Sequence, residues 1–449
     1  MKHLFSRLSP AQKIILSFLL VIFCGSLLLS LPWVQTASSQ AGYLDHLFTA
    51  VSMVCVTGLF TRSVVDTYNV WGQLLCMLLI QIGGLGILTF IGFFTMESRK
   101  KLSLKDRRIL RDSFSYGHNR TLGQFVRSIF ITTFTIEGLG ALLLMIRFIP
   151  KFGIGKGIFN SIFLAVSAFC NAGFDNFGND SLLGLQTDVL VNITLALLII
   201  TGGLGFMVWF DLATKLGGKQ KGLHFHTKVV LLLTAGLLVF GTVTSLWTEY
   251  NNPGTIGNLS FGDKLLVSFF QTVSMRTAGF ASIDYTAARP VTLFIYLLQM
   301  FLGGAPGGTA GGLKITTFLV LLLFARKEIL GLPHTNMGRR TLAPQLVQKA
   351  FGVTVIFQLT FLLGLLALGL VTDSSHRFIY LIFETVSALA TVGVTANITT
   401  SLNTAGMIVI MLLMFIGRVG PLTLMVSLSH YQPKKATTLH YSKADIMIG

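Results

Sequence analysis

Charge is scarce in this chain, and negative charge most of all. Of 449 residues, 17 are Asp or Glu against 34 Lys and Arg, and only 11% of the sequence is charged while 52% is hydrophobic. A soluble fold of this length is excluded, because its surface would lack polar cover. Cysteine is also rare, and Cys24, Cys55, Cys76 and Cys170 lie in apolar stretches at no spacing that suggests a disulfide framework or a metal site. The nine histidines fall at ends or in loops, so no acid, base or nucleophile set sits at depth and an enzyme is not expected. No cleavable leader is evident, since the first apolar run, from about Ile14 to Trp33, is too long for a signal core and suits a first span.

What is present is apolar sequence in long blocks. Eight stretches reach the ~20 residues that a bilayer crossing needs, at roughly 14–33, 70–95, 123–149, 185–214, 229–248, 289–325, 350–371 and 404–428. Within each successive pair lies a shorter apolar segment, near 44–56, 158–171, 262–276 and 378–391. Such a segment cannot span alone and fits a re-entrant helix followed by irregular backbone, which is tolerated at depth only where protein or water covers it. The fold class expected is an all-α membrane protein with eight transmembrane helices and four re-entrant pore loops around a central pore.

Those short segments share a phrase: Phe48-Thr-Ala-Val-Ser52, Phe163-Leu-Ala-Val-Ser167, Phe270-Gln-Thr-Val-Ser274 and Phe383-Glu-Thr-Val-Ser387. Each is followed by a glycine, Gly58, Gly173, Gly279 and Gly393, at intervals of 115, 106 and 114 residues. One unit built four times is the implication. The units are expected at 1–98, 99–216, 217–330 and 331–430, with a cytoplasmic tail at 431–449. The termini and the segments between units hold 24 of the 34 basic residues, so they are assigned to the cytoplasmic side. The chain is thereby placed in the cell membrane, multi-pass, with both termini cytoplasmic and no nucleic-acid role for its net charge of +17.

The four turns read Cys55-Val56-Thr57-Gly58, Cys170-Asn171-Ala172-Gly173, Arg276-Thr277-Ala278-Gly279 and Ala390-Thr391-Val392-Gly393. A filter needs successive carbonyls aimed at one axis, and a residue free to take positive φ permits it. The turns themselves carry no carboxylate, which favours carbonyl coordination of a weakly hydrated monovalent cation over an acidic ring. A single such glycine reads as a helix cap; four after the same phrase read as a pore.

The second span of each unit has glycines of its own: Gly83-Gly-Leu-Gly86, Gly202-Gly-Leu-Gly205, Gly303-Gly-Ala-Pro306 and Gly417-Arg-Val-Gly420. In the first two, close helix packing is the expected role. The third continues as a run, Gly303, Gly304, Gly307, Gly308, Gly311 and Gly312 around Pro306, followed by Lys314, through which a helix cannot persist. A helix, an intramembrane loop and a second helix are expected there, and the loop is a gate candidate. It does not match a phosphate-binding loop, because Leu313 separates Gly312 from Lys314. Arg418, costly at membrane depth, is expected either beside this loop, bonded to its freed carbonyls, or in a static bridge to Glu137 or Glu384.

These turns, together with Gln81-Ile-Gly-Gly-Leu-Gly86 and Phe415-Ile-Gly-Arg-Val-Gly-Pro-Leu-Thr423, resemble the Ktr/Trk/HKT superfamily of potassium transporters over nearly the whole chain. Within it the chain looks like a bacterial Ktr membrane subunit (KtrB/KtrD type), because the first unit begins by about residue 14. The resemblance implies K⁺ uptake with Na⁺ as an activating ion and a homodimer with one pore per subunit, in contact with membrane lipid. It also implies a cytosolic ring of nucleotide-binding Ktr regulatory subunits, so that ATP or ADP acts only through that partner and this chain holds no cofactor. Filter backbone at the four turns, a gate at 303–312 and Arg418 as its neighbour are implied at those positions. Cys55 departs from the family pattern, where threonine is expected, and removes a hydroxyl from the inner filter. The alternative is a coupled secondary transporter (K⁺/Na⁺ or K⁺/H⁺ symport). It is disfavoured because such proteins are commonly built of inverted repeats, whereas these units all begin on one side.

Overall fold

The computed structural model describes residues 10–86, 122–178, 181–218, 220, 222–372 and 377–420. The expected end of the second span at 87–95, the basic stretch 99–121, the last part of the eighth span at 421–428 and the tail lie outside the described residues.

Among the described residues four helices are long and apolar enough to cross a bilayer: α1 (Pro10–Leu29), α5 (Leu122–Phe152), α9 (Phe225–Glu249) and α13 (Pro344–Val371). Each packs along a shorter helix that follows it: α2 (Tyr43–Val54), α6 (Ile154–Phe169), α10 (Phe261–Ser274) and α14 (Phe378–Leu389). At about 1.5 Å per residue the short helices fall well below the ~30 Å of a hydrocarbon core. The phenylalanine of the recurring phrase explains their seating. Phe48, Phe163, Phe270 and Phe383 are each fully buried, anchors whose packing contacts, rather than escape from water, hold a helix among other helices in a membrane. The long helices turn Leu20, Phe23, Ile146, Val239, Phe240, Leu363 and Leu366 outward, a surface suited to lipid rather than water.

After each short helix the chain loops back to another helix. These are α4 (Val70–Leu85, after the single-turn α3, Val64–Thr67), α7 (Val189–Gly203), α11 (Pro290–Phe301) and α15 (Thr404–Val419). Their starts are chemically marked. Asn69 accepts hydrogen bonds from the Trp71 and Gly72 amides, Asp188 from Val191 and Asn403 from Gly406, while α11 opens on Pro290. A hairpin of β1 (Asn336–Met337) and β2 (Arg340–Thr341), with Asn336 opposite Thr341, precedes α13.

The second helices depart from the straight spans expected. The expected span 185–214 is two helices, α7 and α8 (Phe206–Leu216), bent by 98°. The chain turns at Gly205, whose φ is +91°, and a Cβ there would lie 2.7 Å from the Pro306 carbonyl oxygen. The stretch expected as 289–325 is α11, an irregular segment and α12 (Ile315–Ile329), the interruption that its glycines lead one to expect. Where α4 and α15 end, Gly86 and Gly420 also adopt positive φ.

Candidate functional site

All four short helices end in the same backbone conformation. Two residues before each glycine stands a left-handed residue that is not glycine: Val56 at φ 55°, Asn171 at 57°, Thr277 at 66° and Thr391 at 51°. The glycines follow at +101°, +69°, +83° and +99°. Three of the left-handed residues are β-branched, for which this region is a genuine outlier.

The serine of the phrase holds the turn. The Thr57, Ala172 and Val392 amides donate to the carbonyls of Ser52, Ser167 and Ser387, each at 2.8 Å. The Ser52 and Ser387 hydroxyls accept from the Gly58 and Gly393 amides at 3.2 and 3.1 Å, and the Ser167 hydroxyl accepts from Phe174 at 2.9 Å. The third copy, one residue shorter, has the Ser274 hydroxyl donating to the Phe280 carbonyl instead. Amides are thus consumed inside each turn while the carbonyls before the glycines remain. Sequence reasoning used these serines only as a marker of the repeat and missed this role, although their recurrence in all four copies was the signal.

The four turns close into a ring. A Cβ on Gly58 would meet Ala172 O, on Gly173 would meet Ala278 O, on Gly279 would meet Val392 O, and on Gly393 would meet Thr57 O. Each glycine therefore lies against the carbonyl of the next turn in chain order, and the last closes on the first. Thr57, Ala172, Ala278 and Val392 and the four glycines are brought together at this ring; Val56, Asn171, Thr277 and Thr391 form the layer beneath it, all of them buried. The carboxyl ends of α2, α6, α10 and α14 run into the ring, so four helix dipoles present their negative poles there. Asp175, two residues past Gly173, is occupied within its own loop by the Phe177 amide and the Ser181 hydroxyl. On the other side, a cavity of about 740 Å³ reaches Gly58 and Gly393 and is lined by Asp45, Asp66 and Arg62 among others. It is open to solvent and forms a mouth for the ring.

The segment 302–314 lies against the layer beneath. Gly311 N–H donates to the Thr277 hydroxyl at 3.0 Å, and Thr309 donates from its hydroxyl to Phe169 O at 3.1 Å while meeting the Asn171 side chain at 3.2 Å. Gly311 sits so close to the fourth turn that a Cβ would strike the Thr391 hydroxyl. Lys314 turns back onto its own loop, donating to Ala310 O at 2.6 Å and Gly311 O at 3.4 Å. Gly303 and Gly304 pair with Leu313 and Ile315 across the neck of the loop, so it is a closed Ω-like excursion.

Arg418 of α15 fastens the loop. Its guanidinium donates to Thr309 O at 2.6 Å, to Gly84 O at 3.1 Å and also to Gly83 O. The bridge to Glu137 or Glu384 weighed from the sequence is not made. Glu137 accepts from the Gln81 amide at 3.3 Å, and Glu384 accepts from the hydroxyls of Thr395 and Thr399. The reason is chemical: the end of α4 and the loop offer free carbonyls to the five-donor fork, while both carboxylates already have donors, Glu137 an amide and Glu384 two hydroxyls. Gly84 packs closely against the second turn, since a Cβ there would fall 2.5 Å from the Cys170 sulfur.

The family described as "TrkH: Cation transport protein" matches residues 7–438. Ktr system potassium uptake protein B of Bacillus subtilis (strain 168) is 38% identical over 99% of this chain and 97% of its own length. Potassium/sodium uptake protein NtpJ of Enterococcus hirae is also 38% identical, over 100% of this chain and 99% of its own. In shape, the crystal structure of the potassium transporter TrkH from Vibrio parahaemolyticus superposes with a TM-score of 0.74 at 17% identity, covering 93% of this chain and 84% of that one. Helical fold, apolar outer face and a near-full-length match at this identity lead to one conclusion: the chain belongs to the TrkH/Ktr family of cation transport proteins.

Proposed function

We propose that this chain is the pore-forming subunit of a potassium uptake system, admitting K⁺ through the ring of four turns and controlling its passage with the loop 303–312. The observation that carries this reading is the ring itself: four strained turns, each glycine against the next turn's carbonyl, with buried main-chain oxygens and helix carboxyl ends but no carboxylate in the turns. Such a cage replaces the hydration shell of a weakly hydrated monovalent cation. The four units at 1–98, 99–216, 217–330 and 331–430, the homodimer and the cytoplasmic placement of both termini and of the 431–449 tail belong to the same reading. The names of the relatives, a Ktr system protein and a potassium/sodium uptake protein, support a multi-component system; Na⁺ as an activating ion belongs to the same reading. The regulatory subunit would dock on the basic segments 99–127, 215–228 and 326–349, where charge steers an acidic partner.

The test is growth of a K⁺-uptake-deficient bacterium at micromolar K⁺ with this chain expressed, alone and together with a regulatory subunit. Growth is expected at least in the pair, and growth in neither would overturn the reading. Uptake that requires a Na⁺ or H⁺ gradient in liposomes would favour the coupled transporter instead.

A further inference from the structure

The bend between α7 and α8 is joined to the loop 303–312 by main-chain hydrogen bonds. The Phe206 amide, the first of α8, donates to Gly307 O at 2.9 Å, Ala305 N donates to Gly203 O at 2.9 Å, and Thr309 N donates to Gly202 O at 3.2 Å. Side chains repeat the connection. Val208 of α8 lies with Leu204, Val230, Ala305 and Ile315 in a small apolar cluster separate from the main core, so both flanks of the loop pack against α8 and the start of α9. The far end of α8 is held by Asp211. This buried carboxylate accepts from the Gln220 side chain, from the His224 amide at 2.8 Å and from the Thr227 hydroxyl, with His224 Nε2 at 3.6 Å. The turn after α8 and the first turn of α9 are thereby pinned to α8, while Trp209 Nε1 clips α8 to Thr201 O at 2.8 Å. Neither the ring nor Arg418 needs these groups.

We propose that Asp211 is a positioning residue for the loop 303–312. By locking Gln220, His224 and Thr227 onto α8 it keeps α8 in the bent orientation in which the Phe206 amide clasps Gly307, and so keeps the loop beneath the ring. The proposal rests on reading the loop as the gate. It adds a route by which a force on the basic segment 215–228 reaches that gate through one helix and one hydrogen bond.

The experiment is Rb⁺ and Na⁺ flux into liposomes carrying the purified full chain, with Asp211→Ala and Asp211→Asn each made in the intact protein and in a variant lacking Gly307, Gly308 and Thr309. Shortening the loop is expected to raise flux. Asp211→Ala is expected to raise Rb⁺ flux in the intact loop by roughly fivefold or more, the lower range of coupling between sites. Asp211→Asn, which keeps an acceptor for the His224 amide, should do less. Both should leave the Rb⁺/Na⁺ ratio unchanged and add nothing in the shortened background. If shortening raises flux but Asp211→Ala does not, or if its effect is equal in both backgrounds, the positioning role is refuted while the gate stands. If shortening itself leaves flux unchanged, the gate reading fails and the proposal with it. Should Asp211→Ala not fold, Thr227→Val removes one of the donors to the Asp211 carboxylate with little change of volume and is read by the same outcomes.

Discussion

Val56, Thr277 and Thr391 carry branched side chains at positive φ, a conformation that costs about 1–3 kcal/mol at each site and persists only where surroundings impose it. The surroundings here are the serine clamps and the neighbouring carbonyls, so a change at one residue should be felt at the ring before it is felt elsewhere. Gly58→Ser places a Cβ 2.7 Å from Ala172 O at a φ of +101°. The Rb⁺/Na⁺ flux ratio is expected to fall by about tenfold, the equivalent of ~1.4 kcal/mol. The proper control is Gly138→Ala, whose Cβ meets nothing within 4 Å, and which should leave the ratio intact. Equal losses in the two would make Gly58 a plain helix cap. Ser387→Ala tests the clamp: it leaves the Gly393 amide unsatisfied, a cost of about 1–3 kcal/mol, and should lower both thermal stability and the flux ratio. A stability loss with an unchanged ratio would separate the serine from ion selection.

Among elements, the short helices and their turns were legible because main-chain geometry there demands particular residues: a glycine for positive φ, a serine to take up its amide and a phenylalanine to fill the core. The interruption after α11 was legible for the same reason, since six glycines in ten residues cannot hold a helix. The bend at Gly205 was not. Gly202-Gly-Leu-Gly205 repeats the words of Gly83-Gly-Leu-Gly86, and Gly86 and Gly205 both take positive φ, but the neighbour met at Gly205 is the Pro306 carbonyl of a loop a hundred residues later, which periodicity does not report. The partners of Arg418 were hidden likewise, because carbonyl oxygens carry no sequence signal. Its three acceptors lie on α4 and on the loop, so Arg418 joins α4, the loop and α15. Arg418→Gln removes charge-assisted bonds worth about 1.5–3 kcal/mol each and should raise Rb⁺ flux in liposomes without moving the Rb⁺/Na⁺ ratio. Unchanged or reduced flux in folded protein would remove the arginine from gating.

At the scale of the whole molecule, this sequence has no dinucleotide fingerprint following a strand, and the described residues have no sheet larger than one two-residue hairpin. Calorimetry on the purified chain is therefore expected to detect no ATP or ADP binding, whereas the assembled pair with its regulatory subunit should bind nucleotide. Tight binding by the chain alone would place the control here rather than in a partner. The ring also bears on how the chain is made. Each glycine rests on the turn that follows it, and Gly393 rests on Thr57, so the first turn waits for the last. Until residues 390–393 have been made, Gly279 lacks the Val392 carbonyl and Thr57 lacks Gly393, so the ring stays open on one side however early its first three turns take their own shape.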